Sequence, residues 1–532
     1  MTDTAALCRD LAVRLTERPS VTGTPDEASF GPWLAALLSG MPEFGPEAEV
    51  WTFPVAPGDA RLCVAMLVRG SGDATVLLTG HYDTVTTVDY ADLMPVATQP
   101  DLLAVALAAR LADAGILSRE GRARGDLASG RYLPGRGLLD MKAGLAAGLA
   151  AMAAFAAEPR RRGNLLFLAV PDEENASAGA RRGAADLAAT AAVRGLTVRA
   201  AINLDAIADD GDGSAGRVVA LGSVGKVLPT AFVVGAPVHS GFPLRGLNAA
   251  VLAGAIAARL EWAPEMTDGP EGTPVSLLSL KDGKAGYDVT TPATAFATWS
   301  VLNRTRHPGS VLTAMEPLVR EALVQVTDAL RSRAGGATAP VAEVAIPILR
   351  YRELFEIARA AVPEVEQEVD RMTATLREAG TSHPDLAQAL TALVWQRAGL
   401  SGPAVVLGLG STPYLAVSLD DARVARAVAD LVEDAPRRHG VRLATADYFA
   451  GISDMSFFGQ GDASDFVDLA ADTPGWGPLV GLDAGSVAQV PCVNLGPWGR
   501  DYHTPLERIE TDYGFRVLPA LIADLCGRLL AD

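Results

Sequence analysis

Cysteine is scarce: four are spread over 532 residues, and none forms a CxxC pair. Cys8, Cys63, Cys492 and Cys526 therefore suggest neither a disulfide framework nor a thiolate zinc site, and they read as buried structural thiols. Basic residues are outnumbered, with 45 Lys and Arg against 63 Asp and Glu, a formal net charge of −18. A nucleic-acid backbone would need a basic face, so that class of partner is excluded. The first residues, MTDTAALCRDLAVRL, lack a basic stretch followed by an apolar run. Leu7, Leu11 and Leu15 recur every fourth position, which predicts an amphipathic helix and no signal peptide. Long Leu/Ile/Val runs are missing too, so no membrane span or membrane partner is expected, and the expected location is cytoplasmic. There is no internal repeat, and the 34 prolines and 53 glycines are too dispersed for a collagen-like or low-complexity segment.

What is present is a globular composition, 49% hydrophobic and 20% charged, in a chain too long for one ordinary core. Short β-branched runs alternate with alanine-rich helical stretches. Strands are predicted at 63–68, 74–80, 164–170 and 198–204, with helices at 141–157 and 176–191. This alternation indicates an α/β domain whose mixed, largely parallel sheet is covered by helices. Near Gly222 the pattern changes. A strand at 226–235, a helix at 246–262, strands at 273–283 and 291–303, a helix at 312–333 and a strand at 342–349 read as β-α-β-β-α-β. That order predicts a small α+β domain of four strands and two helices, with GGATAP (335–340) as a turn inside it. The first pattern then resumes, with helices at 352–378, 384–398 and 419–438, strands at 403–410 and 488–496, and a terminal helix from about 513. The expected organisation is a catalytic domain over 1–222 and 350–532, interrupted by the small domain at 223–349.

Histidine and carboxylate clusters fall where strands end, the usual ligand position in open α/β sheets. GHYDTV carries His81 and Asp83, PDEEN carries Asp172, Glu173 and Glu174, NLDA carries Asp205, and DYHTPLER carries His503. GRGLLDMKAG places Asp140 just before a helix. Each cluster alone also fits a polar loop or a helix cap. Together, two histidines and three carboxylates without cysteine suit catalytic zinc or a neighbouring divalent metal. They could hold two ions if one carboxylate bridged them. In an extended segment His81 and Asp83 point the same way, so Asp83 could receive the second ring N–H of His81.

The ordered set GHYDTV, GRGLLDMKAG, PDEEN, NLDA and YHTPLERI resembles the M-twenty metallopeptidase family of aminoacylases, acetylornithine deacetylase and glutamate carboxypeptidase. The stretches LGSVGKVLPTAFVVGAPVHSG, GLGSTPYLAVSL and YFAGISDMSFFG are similar to its arginine-utilisation, Roc-type branch. The resemblance implies a metal centre of two divalent ions, zinc first and cobalt or manganese as alternatives. His81 and Asp205 would bind one ion, Glu174 and His503 the other, and Asp140 both. Glu173 would be the general acid/base and Asp83 would orient His81. It implies that the small domain is a lid through which homodimers can form, with His239 stabilising the tetrahedral intermediate. Asn248, Arg304 and Asp454 would contact substrate, although Gly451–Ile452 stands where a glycine pair is common. His307, His383 and His439 match no motif and are expected at the surface or in caps.

The expected function is hydrolysis of an amide bond in a small N-acyl amino acid, dipeptide or related amide, with Glu173 activating water held between the two ions. The alternatives are an inactive metal-binding regulatory protein of the same fold, and amide-forming or ureido-group chemistry on the same site. Retention of Glu173 argues against the first, because a binding protein needs no base.

Overall fold

The computed structural model describes residues 3–115, 117–209, 217–269, 272–334, 345–449, 451–462 and 464–531. The chain forms two units. The first comprises Met1–Ser223, Val417–Gly461 and Gly485–Asp532, and the second Val224–Ala416 and Asp462–Ala484.

The first unit is built on strands β1 (Glu49–Pro54), β2 (Leu62–Arg69), β3 (Ser71–His81), β4 (Arg162–Val170), β5 (Thr197–Asn203), β6 (Val218–Ala220), β7 (Ala444–Ala446) and β8 (Cys492–Asn494). They form one eight-stranded sheet in the order β1-β2-β4-β3-β5-β8-β6-β7. The central strands β4, β3, β5 and β8 are parallel, while β1 and β2 pair antiparallel at one side. β4 reads as a continuous apolar run, LLFLAV, because the sheet is covered on both faces. Leu78, Leu165 and Phe167 share a core with helices Thr4–Glu17, Ala143–Ala157 and Leu518–Leu530. Leu168 instead packs against Gly183 of helix Ala178–Arg194, where a Cβ would lie 2.7 Å from its side chain.

Helix Ala143–Ala157 contains no charged residue and is buried through Ala153. Among the described residues, 138–157 is the one helical stretch long and apolar enough to cross a membrane, and 89% of its apolar window is buried inside the protein. Its small residues permit close approach to β5: a Cβ on Gly144 would fall 2.0 Å from the Leu204 carbonyl oxygen. The helix N-terminus is thereby set against the turn that carries Asp205.

The second unit has a six-stranded sheet. Strands Gly225–Val227 and Pro229–Val234 both pair with Thr294–Asn303, which also pairs with Ser276–Asp282. The expectation of four strands and two helices is corrected here. Strand Ala404–Leu409 lies antiparallel beside Pro229–Val234, and Ile348–Arg350 follows it in parallel. Residues 350–416 and 462–484 therefore belong to the second unit, contrary to the boundary expected at 349. The physical reason is that AVVLGL is apolar throughout, and such a run does not say which sheet it joins. The single helix expected over 352–378 is two, Tyr351–Ala361 and Val365–Glu378, separated at Pro363, which cannot continue a helix. The turn expected at 335–340, and residues 342–344 of the predicted strand, lie outside the described residues.

Candidate metal centre

Parallel strands end at one edge, so β3, β4, β5 and β8 deliver their C-terminal loops to the same place. His81 is the last residue of β3. Pro171 and Asp172 follow β4, then Glu173 and Glu174. Asp205 comes two residues after β5. His503 follows β8 by way of the short strand Trp498–Arg500. Asp140 sits in the tight turn Leu138–Lys142, which leads into helix Ala143–Ala157.

These elements bring all seven residues expected at the centre together. His81 Nε2 is 3.1 Å from Asp140 Oδ1 and 3.8 Å from Asp205 Oδ1. His503 Nε2 is 3.0 Å from Asp140 Oδ2 and 3.1 Å from Glu174 Oε1. Two clusters whose donor atoms lie close enough together to hold a metal ion result, His81–Asp140–Asp205 and Asp140–Glu174–His503, and Asp140 turns one oxygen to each. Glu173 belongs to neither cluster, yet its Oε2 is 4.0 Å from His81 Nε2 and its side chain is almost fully buried.

The donor set fits a pair of divalent cations. Each Nε2 faces two carboxylate oxygens, and one N–H can serve only one of them well. Without a metal, the histidines must supply the positive charge. Burial disfavours their charged forms, but Asp140 and the second carboxylate outweigh it, so His503 is pushed up to about 10 and His81 well above its ordinary value. Burial also raises Asp205, Glu174 and, further, Glu173, whose neighbours Asp454, Glu174 and Asp205 add to the shift against His81. Asp140 goes the other way: burial opposes its charge, and hydrogen bonds from His503 and His81 prevail. Oxygen and imidazole donors of this kind suit a divalent metal ion.

Asp83 acts differently from the simplest expectation. The His81 Nδ1 atom is 3.1 Å from the main-chain carbonyl of Asp83 and 3.7 Å from its carboxylate. The carboxylate accepts the backbone N–H groups of Glu173 (3.1 Å) and Glu174 (3.2 Å) and the Thr22 hydroxyl (2.8 Å). One residue thus fixes the His81 tautomer through its backbone and the Glu173–Glu174 segment through its side chain. Asp172 is structural: it accepts from Arg61 and from the Ala178 N–H at the start of helix Ala178–Arg194.

Sequence reasoning missed Thr22 and Asn494. The Asn494 carboxamide accepts the Asp205 N–H at 3.1 Å and donates to the Asp205 carbonyl at 2.9 Å. Its signal was its place at the end of β8, beside β5.

Asp454 is in the first unit, 1% exposed, and burial pushes its carboxyl up to about 7. Neither of its oxygens reaches the surface, so it backs the centre and offers no face to substrate in this conformation. His239, Asn248 and Arg304 belong to the second unit. His239 is exposed, and its Nδ1 accepts the Gly241 N–H at 3.0 Å, which leaves the ring proton on Nε2. Asn248 is the N-cap of helix Ala249–Leu260, its side chain accepting the Ala250 N–H. Arg304 is exposed just beyond strand Thr294–Asn303, its N–H donated to Asp268. His307 caps a short helical turn, His383 opens helix His383–Arg397, and His439 pairs with Asp524.

The profile of peptidase family M20/M25/M40 matches residues 120–523. The chain belongs to this family. The match takes in Asp140, Glu173, Glu174, Asp205 and His503 and begins after His81, whose place rests on the geometry above. Among individual relatives, the chain is 29% identical to the uncharacterized protein YqjN of Bacillus subtilis, covering 98% of this chain and 96% of that one. It is 25% identical to protein RocB of Bacillus subtilis, over 98% and 94%. A tripeptidase structure from Staphylococcus aureus shares the fold with a TM-score of 0.54, at 15% identity over 99% of both chains.

Proposed function

We propose that this member of the M20/M25/M40 family is a two-metal amidohydrolase that cleaves a small N-acyl amino acid, dipeptide or related amide. The observation that carries the reading is the pair of histidine–carboxylate clusters sharing Asp140, with Glu173 facing them from outside both. His81, Asp140 and Asp205 would hold one ion, and Asp140, Glu174 and His503 the other. Bound there, the ions would polarise the scissile carbonyl and acidify a water molecule. The chain's own part is proton transfer. Glu173 takes a proton from the attacking water and returns it to the leaving amine. Asp83 holds its backbone in place by accepting the Glu173 N–H. His239, with its proton on Nε2, is a suitable donor to the developing oxyanion, from the same chain or a second copy.

A homodimer through the second unit belongs to the same reading. Strand Ser276–Asp282 pairs on one side alone among the described residues, and Leu278, Leu280, Tyr287 and Val289 are exposed on or near it. Such an edge is a template for pairing with another copy.

The test is metal analysis of the purified protein followed by a hydrolysis screen. The panel should hold N-acyl amino acids and dipeptides, arginine derivatives included, with products identified by mass. Two ions per chain and release of an amine support the reading. Metal content with no cleavage across the panel favours a binding protein instead.

A further inference from the structure

Outside the seven residues of the centre, one buried cation touches several of the loops that carry them. Arg136 lies four residues before Asp140 and is 1% exposed. Its Nε donates to the Thr86 carbonyl at 3.0 Å, in the loop that follows His81 and Asp83. Its Nη2 donates to Asp89 at 2.6 Å in the same loop. Its Nη1 donates at 2.8 Å to Glu507, which follows His503 by four residues. Glu507 is equally buried, and its other oxygen accepts the Gly137 N–H at 2.9 Å and the Asp140 N–H at 3.5 Å. The Tyr90 ring closes the site, 5.1 Å from the guanidinium carbon.

We propose that Arg136, with Glu507, is a positioning residue that holds the His81, Asp140 and His503 loops in register, so that the two oxygens of Asp140 meet both histidines. The inference rests on the two-metal reading above. The planar guanidinium presents donors in a fixed fork, and here they are divided among separate segments. A lysine would keep the charge and could not span those partners. Among the described residues, no hydrogen bond or ion pair joins either residue to His81, to His503 or to the Asp140 carboxylate, so the effect passes through the loops.

The test is a cobalt titration of the chelated full-length protein, read by visible absorption. Wild type should take up two Co2+. Arg136→Lys should bind the second ion at least about tenfold more weakly, with altered absorption bands, as expected when support for a metal ligand is lost. In turnover, kcat should fall more than KM rises. If wild type takes up two ions and Arg136→Lys shows the same affinities and bands, the brace is overturned and the two-metal reading stands. If wild type binds no cobalt, the two-metal reading itself fails and the brace with it. Should Arg136→Lys not fold, Asp89→Asn carries the test, because Asp89 is one-third exposed. A weaker second site in that variant supports the brace, and an unchanged titration overturns it.

Discussion

The two halves of the centre are held in different ways. The His81–Asp205 half sits on the ends of β3 and β5, and His81 is 1% exposed. Its positions follow from strand pairing, with Asn494 of the adjacent β8 fastening Asp205. The His503 half lies on a loop, and the imidazole side chain is 43% exposed. That loop has positive φ at Asp501 (60°) and His503 (59°), an unusual conformation for residues other than glycine. Charged side chains hold it: Arg508 donates to Asp501 and Asp126, and Arg119 pairs with Asp501. A ladder of backbone hydrogen bonds fixes His81 and Asp205, and a web of ion pairs fixes the loop of His503.

The largest effect should come from the group that faces the clusters without binding either ion. Glu173→Gln removes the proposed base and leaves every proposed ligand in place. We expect both ions to be retained and turnover to fall by about 10²- to 10⁴-fold. Activity close to wild type would remove Glu173 from its role, and loss of an ion would place it among the ligands.

The histidines themselves test the contrast between the halves. His81→Ala opens a cavity in packed structure and should cost about 2–4 kcal/mol in the chelated protein, besides losing an ion. His503→Ala should lose one ion and cost the chelated protein less than His81→Ala does, through the lost pairing with Asp140 and Glu174 and not through a cavity, because the ring is already half in water. Equal Tm losses for the two would break the comparison.

Proton linkage gives a third test, in which both halves act with one sign. In the chelated protein His503 rises from 6.5 to about 10 and Asp454 from 3.8 to about 7, while Glu173, Glu174 and Asp205 are also raised. A group raised in the folded state binds more protons there than in the unfolded chain. Its relative stabilisation is complete below the unfolded value and disappears as pH climbs to the folded one. Asp140 is lowered and has the opposite sign, but its window lies below 3.8. From pH 4 to 10 the chelated protein should therefore lose stability at this cluster as pH rises. Added metal should restore it, so the Tm gain on metal addition should be larger at pH 8 than at pH 5.5, by roughly 5 °C. A gain that shrinks with pH would contradict the charge assignment.

The residues at the strand ends were the more legible in the sequence. GHYD, PDEEN and NLDA each follow an apolar run, and period and composition place such residues at strand ends. The parallel order of those strands, read from their alternation with helices, then put the ends at one edge. His503 could be placed only loosely, after the strand expected at 488–496, since nothing in the local pattern predicts a loop with positive φ. The web around it is also long-range, with Asp126 and Arg508 separated by 382 positions. The role of Asp83 was half visible: spacing placed it beside His81, but its hold on the Glu173 and Glu174 N–H groups depends on how β3 and β4 pair. The boundary of the second unit was hidden for a related reason, because AVVLGL is equally at home in either sheet.

The smallest effect should come from the edge of the web. Asp126 is 15% exposed on its side chain and accepts from both Arg508 and Arg500. Asp126→Asn removes the charge and keeps the size, and Arg508 retains Asp501, so the loop should loosen without collapsing. The expected cost is about 1 kcal/mol of stability, between the values for exposed and for buried charged pairs. The His503 site should bind its ion a few-fold more weakly and the His81 site unchanged, because no strand pairing is touched. Salt should reduce the difference between variant and wild type, since a partly exposed pair is screened over about 10 Å at 0.1 M. A loss shared equally by both ions would mean that Asp126 supports the whole sheet edge and that the two halves are mechanically one.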